Sequence, residues 1–334
     1  MSILVCGGAG YIGSHCVREL KKAGYDCIVY DNLSEGHPAA VTGFKLIEGD
    51  IRDGAKLDEV FADNKIEGVI HFAAFALVGE STKDPVAYYE NNVSGTVNLL
   101  KVMKKAQVNK IVFSSTCAVY GETEEVPITE KTPTAPCNPY GQTKRDVEQL
   151  LSWCDKAYGI KSVCLRYFNA AGATPDGDIG EDHTIETHLI PLIFQAALCK
   201  NKKLAVYGND YATFDGSCVR DYIHVLDLAD AHVKAMRYLI DGNDNRIFNL
   251  GSGTGSSVFE VIKVAQEITG CEIPYLIGRR RQGDPAVLVA SAKEANRVLG
   301  WHAERSDLEN VLKDAWRWHS AHPKGYQDKD GRAT

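Results

Sequence analysis

The chain has no Cys-x-x-Cys pair, no excess of basic residues, no internal repeat and no apolar run long enough to span a bilayer. Each lack removes a class of function. The ten cysteines are scattered, which argues against a disulfide framework or a cysteine zinc site. Several of them, such as Cys6, Cys27 and Cys164, lie in apolar runs and read as buried free thiols in a reducing compartment. The net charge of −7 disfavours a nucleic-acid binder built on a basic surface. The run Arg279-Arg280-Arg281 is an exception in this acidic chain. A small anionic ligand suits it, and a solvated surface run is the plainer reading. The segment from Leu189 to Cys199 is too short to cross a membrane. The apolar run that begins at Ile3 reads as a strand rather than a leader, so a cytoplasmic protein without membrane partner or metal is expected.

What is present is the composition of a large globular chain, with 334 residues of which 44% are hydrophobic and 24% charged. Short apolar runs alternate with helical patterns through the first half. Strands are expected at Ile3–Cys6, Cys27–Tyr30, Phe44–Glu48, Gly68–Phe72, Lys110–Phe113 and Ser162–Arg166. Helices are expected over Ile12–Ala23, around Leu57–Phe61, as one long element over Val86–Ala106, and over Tyr140–Tyr158. This alternation predicts an α/β fold, a Rossmann-type doubly wound parallel sheet. Gly, Asp and Pro crowd residues 172–182, which read as a loop and a domain boundary. Beyond it, Val258, Val261, Ile262 and Ala265 keep helical spacing. The expected division is a dinucleotide-binding domain over 1–171 and a smaller α/β substrate lobe over 172–334. The segments Asp221–Leu226 and Arg246–Leu250 are expected to pair back onto the first sheet.

Gly7-Gly8-Ala9-Gly10-Tyr11-Ile12-Gly13 follows the first strand and opens the first helix. Two registers fit, Gly8-x-Gly10-x-x-Gly13 and Gly7-x-x-Gly10-x-x-Gly13. In either, early glycines permit a tight turn and close approach of a pyrophosphate, and the last lets the helix pack on the sheet. The helix N-terminus then offers N–H groups to phosphate. Asp31 ends the second strand, where a carboxylate meets the adenosine ribose and disfavours a 2′-phosphate, so NAD is the expected cofactor. Asp31 is equally suited to start a turn with Asn32. Asp50-Ile51 can flank the adenine, or Asp50 can cap the next helix.

Tyr140 and Lys144 lie four apart in Asn138-Pro139-Tyr140-Gly141-Gln142-Thr143-Lys144. On a helix they share one face, and a lysine cation beside a phenol lowers the phenol's pKa toward that of a useful base. The same spacing is common on solvated helices. The run Phe113-Ser114-Ser115-Thr116 ends the fifth strand at the edge where open α/β sheets bind ligands. A hydroxyl there can bond the oxygen that Tyr140 deprotonates.

Together these features resemble the extended short-chain dehydrogenase/reductase superfamily. The segments GGAGYIGSH (7–15), EGDIRD (48–53), VIHFAA (69–74), YYENNVSGT (88–96), VFSSTCAVYG (112–121), NPYGQTK (138–144), LRYFNAAGA (165–173), VRDYIHVLDLADAH (219–232) and FNLGSG (248–253) run the length of the chain. They are similar to the UDP-galactose 4-epimerase (UDP-glucose 4-epimerase) family. That resemblance implies an NAD-dependent isomerase that oxidises a UDP-sugar at C4, turns the 4-keto sugar and reduces its other face. It implies catalytic roles for Tyr140, Lys144 and Thr116. It implies NAD contacts from Gly7, Gly10, Tyr11, Ile12, Gly13, Asp31, Asn32, Asp50, Ile51, Phe72, Ala73, Ala74, Asn91, Ser114, Tyr140, Lys144, Tyr167 and Phe168. Tyr167 is also readable as plain core. For the UDP-sugar it implies Thr116, Tyr140, Asn169, His188, Leu189, Val206, Tyr207, Arg220, Tyr222, Arg281, Asp284 and Leu288. Guanidinium groups suit a diphosphate, although each arginine alone reads as a surface ion pair. The resemblance further implies a homodimer.

Three positions depart from the family pattern or vary within it. Thr116 stands where serine is common, which preserves the hydroxyl. Ala76 stands where many members carry a lysine near the cofactor, so weaker NAD retention is expected. Leu288 lies where members vary in size around an N-acetyl group, which points to UDP-glucose and UDP-galactose, with UDP-N-acetylglucosamine and UDP-N-acetylgalactosamine as the alternative. Another UDP-sugar, such as UDP-glucuronate or a UDP-pentose, is a further alternative. A 4,6-dehydratase needs an Asp-Glu pair after the threonine, and Cys117-Ala118 stands there instead. A non-catalytic NAD-binding regulator would have no use for Tyr140, Lys144 and a hydroxyl together.

Overall fold

β1 (Ser2–Cys6) runs straight into a turn at Gly7 and then into α1 (Tyr11–Lys22). β2 (Asp26–Asp31), β3 (Lys45–Glu48), α2 (Gly54–Asp63) and β4 (Ile66–His71) complete the first winding. These are coordinates of a computed structural model that describes residues 1–199, 203–281 and 284–326. The short helices α3 (Val78–Ser81) and α4 (Pro85–Tyr88) lead to α5 (Gly95–Lys105), and β5 (Lys110–Thr116), α6 (Pro139–Tyr158) and β6 (Lys161–Tyr167) follow. Seven strands form one parallel sheet in the order β11-β6-β5-β4-β1-β2-β3, where β11 is Arg246–Leu250. The strand order reverses beside β1, and the crevice this opens at the carboxyl ends of β1 and β4 is where such sheets bind ligands.

The central strands are buried on both faces. Leu4 and Cys6 pack with Leu57, Leu99, Met103 and Val147 on one side. Ile3 and Val5 pack with Val17, Leu20 and the later helix α8 (Val225–Ile240) on the other. Alternate side chains of one strand therefore feed two helical layers, which explains why these runs read as continuously apolar.

One expected helix differs in detail. The stretch expected as a single helix over Val86–Ala106 has a π-helical segment, Tyr89–Ser94, between α4 and α5. The insertion coincides with Asn92, whose side chain accepts from Phe75 N at 2.8 Å and donates to Phe75 O at 3.0 Å and to Thr143 Oγ1 at 3.1 Å. A π-turn re-aims a residue without ending the helix, and here it ties the loop after β4 to α6.

Beyond β6 the chain builds a second packed unit. It contains β7 (Asn169–Ala171), α7 (Leu189–Leu198), β8 (Leu204–Tyr207), β9 (Val219–Arg220) and β10 (Tyr222–His224). After α8 and β11 come β12 (Ser256–Ser257), α9 (Val258–Thr269), β13 (Tyr275–Gly278), β14 (Val287–Leu288), α10 (Lys293–Leu299) and α11 (Leu308–Ala321). Ile193, Phe194, Val261, Ile262 and Leu312 form its core. Arg246–Leu250 does join the first sheet, beside β6. Tyr222–His224 does not, and pairs with β7 instead. No helix among the described residues is long and apolar enough to cross a membrane.

Candidate active site

The glycine loop is built as a phosphate cradle requires. Gly7 has φ +76°, and a Cβ on it would lie 2.5 Å from Ala73 N. A Cβ on Gly13 would lie 2.1 Å from the Gly7 carbonyl oxygen. Gly7 and Gly13 are thus the positions that backbone contact reserves for glycine, which selects the Gly7-x-x-Gly10-x-x-Gly13 register. Gly10 is the N-cap of α1, and no side chain caps that helix. Its first N–H groups are left for a ligand. Asp31 is buried at the end of β2, accepting Ala9 N and Leu33 N at 2.9 Å each. Burial pushes its carboxyl upward against those bonds. The cradle, the uncapped helix and the carboxylate together fit a dinucleotide.

Asp50 is not the cap of α2. Asp53 takes that place, accepting Lys56 N at 3.0 Å. Asp50 is clamped by Arg52 at 2.7 and 2.9 Å and by Asn32 at 2.9 Å, and the Arg52 bonds hold its carboxyl well below the usual range. Tyr11 donates to the Gly172 carbonyl at 2.7 Å, joining the glycine loop to the start of the second unit. Ile51 and Phe168 are core residues by side chain, whereas Ile12, Ala73 and Ala74 are half-buried around the loop. Asn91 donates to Asn92 at 3.0 Å, and Phe72 packs on the His232 ring at 4.5 Å. Ala76 is exposed.

α6 starts where its local sequence dictates. Asn138 accepts Gly141 N at 2.9 Å and Pro139 occupies the first turn. A Cβ on Gly141 would stand 2.5 Å from Ala118 O, so glycine lets the helix start sit against the turn that follows β5. This contact brings Tyr140 beside Thr116, whose hydroxyl works against the upward shift of the phenol. Lys144 is buried on the same helix face and donates to the Ser114 carbonyl at 2.8 Å. Its Nζ lies 4.9 Å from the Phe113 ring centroid and 5.9 Å from that of Tyr140. Ser114 Oγ hydrogen-bonds the Tyr167 hydroxyl, and burial pushes that phenol up to about 12.

The charge balance differs from the sequence expectation. Burial pushes the Tyr140 phenol up, and nearby Tyr167 adds to the shift while Thr116 opposes it. The same burial pulls Lys144 down to about 7, with Glu148 acting against it. A lysine half-discharged by its own desolvation does not offset the desolvation of the phenol. Placement on one face is as expected; the direction of the phenol's shift is not.

Behind the pair lies a buried network that the sequence reading missed. Glu148 accepts Arg166 Nε at 2.9 Å and a second guanidinium nitrogen at 2.6 Å. It also accepts Ser115 Oγ at 2.6 Å. Arg166 reaches Tyr120 OH at 3.0 Å, and Tyr120 donates to Asn249 at 2.6 Å. The i, i+4 spacing of Lys144 and Glu148 was a usable signal; the partners from β6 and β11 were not visible in order along the chain. Asn92, behind the loop after β4, was missed for the same reason.

In the second unit, Asn169, Arg220, Tyr222 and Leu288 gather on short adjoining strands. Asn169 is in register with Tyr222 and donates to the Asp221 carbonyl at 3.1 Å, and Leu288 is in register with Arg220. Arg220 is ion-paired with Asp284. Arg281 stacks over the Tyr207 ring at 4.1 Å. Leu189 packs on the core that holds Ala171 and Tyr222. The Val206 side chain is buried in that core, whereas that of its neighbour Tyr207 is exposed. His188 presents Nδ1 to Glu181 at 2.6 Å.

The family model for the NAD dependent epimerase/dehydratase family matches residues 3–251. The chain belongs to this family. Members similar to it include the UDP-glucose 4-epimerase of Halalkalibacterium halodurans, 53% identical over 99% of this chain and 99% of that protein. The UDP-glucose 4-epimerase of Lacticaseibacillus casei is 50% identical over 99% of this chain and 100% of that protein. Among solved structures, the Brucella ovis UDP-glucose 4-epimerase in complex with NAD superposes with TM-score 0.92 at 47% identity, covering 94% of this chain and 97% of that one. The Bifidobacterium longum enzyme in complex with NAD⁺ and UDP gives TM-score 0.91 at 44% identity, over 98% and 100% of the two chains. In this chain the glycine cradle follows β1 and Thr116 ends β5, so both groups lie at the carboxyl edge of one parallel sheet.

Proposed function

We propose that this epimerase/dehydratase family member interconverts UDP-galactose and UDP-glucose with NAD as its tightly held cofactor. The observation that carries the reading is the meeting of Tyr140, Thr116 and Lys144 at the carboxyl edge of a sheet whose first turn is a dinucleotide cradle. The relatives named for this reaction match it along nearly its whole length.

Gly7, Gly10, Gly13 and the N-terminus of α1 hold the pyrophosphate in this proposal, and Asp31 holds the adenosine ribose. Bound NAD supplies the hydride acceptor and donor for the sugar C4. Tyr140 takes the proton of the sugar 4-hydroxyl and returns it to the oxygen of the turned sugar. Thr116 bonds that same oxygen. Lys144, fixed by the Ser114 carbonyl, stands beside the phenol; when it carries its proton it favours phenolate, and burial leaves that attraction little screened. Arg220 and Arg281 take the diphosphate, and Asp284 takes uridine hydroxyls once Arg220 is shared with the ligand. Holding the diphosphate while the sugar is loose lets one pocket meet both sugar faces.

Residues 1–171 with β11 act as the NAD domain and residues 172–334 supply most of the UDP-sugar lobe. A homodimer in the cytoplasm is part of the same proposal. Leu288 stands beside the arginine that anchors the diphosphate, which supports UDP-glucose and UDP-galactose over their bulkier N-acetyl counterparts. The test is a substrate panel with NAD⁺ supplied, including UDP-N-acetylgalactosamine. Conversion of UDP-galactose at rates well above the N-acetyl sugar is expected, and absence of that conversion overturns the reading.

A further inference from the structure

The loop between β7 and α7 carries Glu181, His183, Glu186 and His188 on a Glu-x-His-x-x-Glu-x-His spacing. We propose that these four side chains bind one divalent transition-metal ion of the zinc class. One ligand atom from each lies within 4.8 Å of all the others. In a tetrahedral site with ligands at roughly 2.0–2.1 Å, neighbouring ligand atoms stand about 3.3–3.4 Å apart. His183 Nδ1 lies 3.3 Å from Glu186 and 3.5 Å from Glu181, and His188 Nδ1 lies 3.5 Å from Glu186. The two edges from His183, to Glu186 Oε2 and Glu181 Oε1, are therefore close to their final length, and His188 lies near the other Glu186 oxygen, Oε1. The fourth contact, His188 to Glu181 at 2.6 Å, is a hydrogen bond that opens by less than an ångström to admit an ion.

The charge of the pocket asks for a cation. The Glu181 and Glu186 side chains are only 4% and 8% exposed. Glu35 adds a third carboxylate, accepting Thr184 N at 3.2 Å. Two buried carboxylates with two neutral imidazoles and a divalent ion sum to zero. Two imidazole and two carboxylate ligands suit zinc better than magnesium or calcium, which prefer all-oxygen shells.

The site is also held in advance. Glu186 accepts the Thr187 and His188 N–H groups at 2.8 and 2.7 Å. Trp318 donates to the Glu181 carbonyl at 3.1 Å. A cavity of about 220 Å³ beside the cluster, walled in part by Asp182, His319 and His322, gives an entry path. The ion's place is a clasp between the two halves of the chain: Glu35 and His37, after β2, reach this loop, and His188 leads directly into α7. The ion takes no part in the transfer at C4.

The test uses the full chain, stripped with a chelator, given zinc sulfate and desalted. One zinc per chain is expected, with an X-ray absorption spectrum that shows nitrogen and oxygen ligands and no sulfur. Cobalt substitution is expected to give the strong visible bands of a tetrahedral ion. His183→Gln and Glu186→Gln, folded by circular dichroism, are each expected to lose the retained zinc. Less than one zinc per wild-type chain overturns the proposal. So does sulfur in the shell, which would place the metal on the exposed Cys137, Cys199 or Cys271. Retention by both variants equal to wild type overturns it as well. None of these readouts depends on turnover.

Discussion

Glu148 and Lys144 stand one helical turn apart on the buried face of α6, and the carboxylate that supports the lysine's charge is itself gripped by Arg166 at 2.6 and 2.9 Å. Through Ser115 the same carboxylate reaches the strand that ends in Thr116. One buried ion pair therefore joins the helix bearing Tyr140 to both strands that flank it.

Glu148→Gln leaves the Arg166 guanidinium buried without its counter-charge. A loss of about 3–5 kcal/mol of stability is expected. Replacing both partners, as Glu148→Met with Arg166→Met, removes the unpaired charge and is expected to regain most of it. Urea unfolding of the three proteins checks this; equal midpoints for the single and double variants would contradict it.

Tyr140→Phe keeps the ring and removes the proton carrier. Turnover is expected to fall by about 10²–10⁴-fold, with UDP affinity unchanged because the arginines of the second unit are untouched. Steady-state kinetics and UDP titration read the two separately. Near-normal turnover places the base elsewhere.

Lys144 titrates at about 7 in the folded protein against 10.5 in water. Between those values the unfolded chain binds more protons than the folded one, so this group makes stability rise with pH by ~1.4 kcal/mol per pH unit. Lys144→Met is expected to be more stable than wild type at pH 7 and to lose that slope. Unfolding of both proteins from pH 7 to about pH 10 reads the difference, and parallel curves would refute the assignment.

Gly13→Ala sets a methyl 2.1 Å from the Gly7 carbonyl, a backbone atom that cannot swing aside. The loop must open and NAD retention is expected to fall at least tenfold, while Gly54→Ala, in open space on α2, leaves it unchanged. Cofactor content of the purified proteins measures both. Full NAD content in the first variant counts against the cradle.

The parts legible in sequence were those fixed by local geometry. Gly7 needs its positive φ, Asn138 caps its own helix, and Tyr140 and Lys144 share a face because four residues make a turn. The β1 and β6 runs are apolar because helices cover both faces. What escaped notice depends on distant partners. The π-segment at Tyr89–Ser94 coincides with bonds from Asn92 to Phe75 and Thr143. The upward shift of Tyr140 depends on how deeply the fold buries it. Asp50 was readable as an adenine contact or as a cap; Asp53 takes the cap, and Asn32, 18 residues away, joins Arg52 on the Asp50 carboxylate. The two histidines and two glutamates of the 181–188 loop are close in sequence, yet only the folded loop brings all four ligand atoms within 4.8 Å of one another.

The most direct measurement follows a deuterium placed at C4 of UDP-galactose through incubation with the purified protein and NAD⁺. The account predicts UDP-glucose with the label still at C4, because the hydride that leaves one face returns to the other within the same cleft. Product whose C4 deuterium has been exchanged for solvent hydrogen, or no product at all, would contradict it.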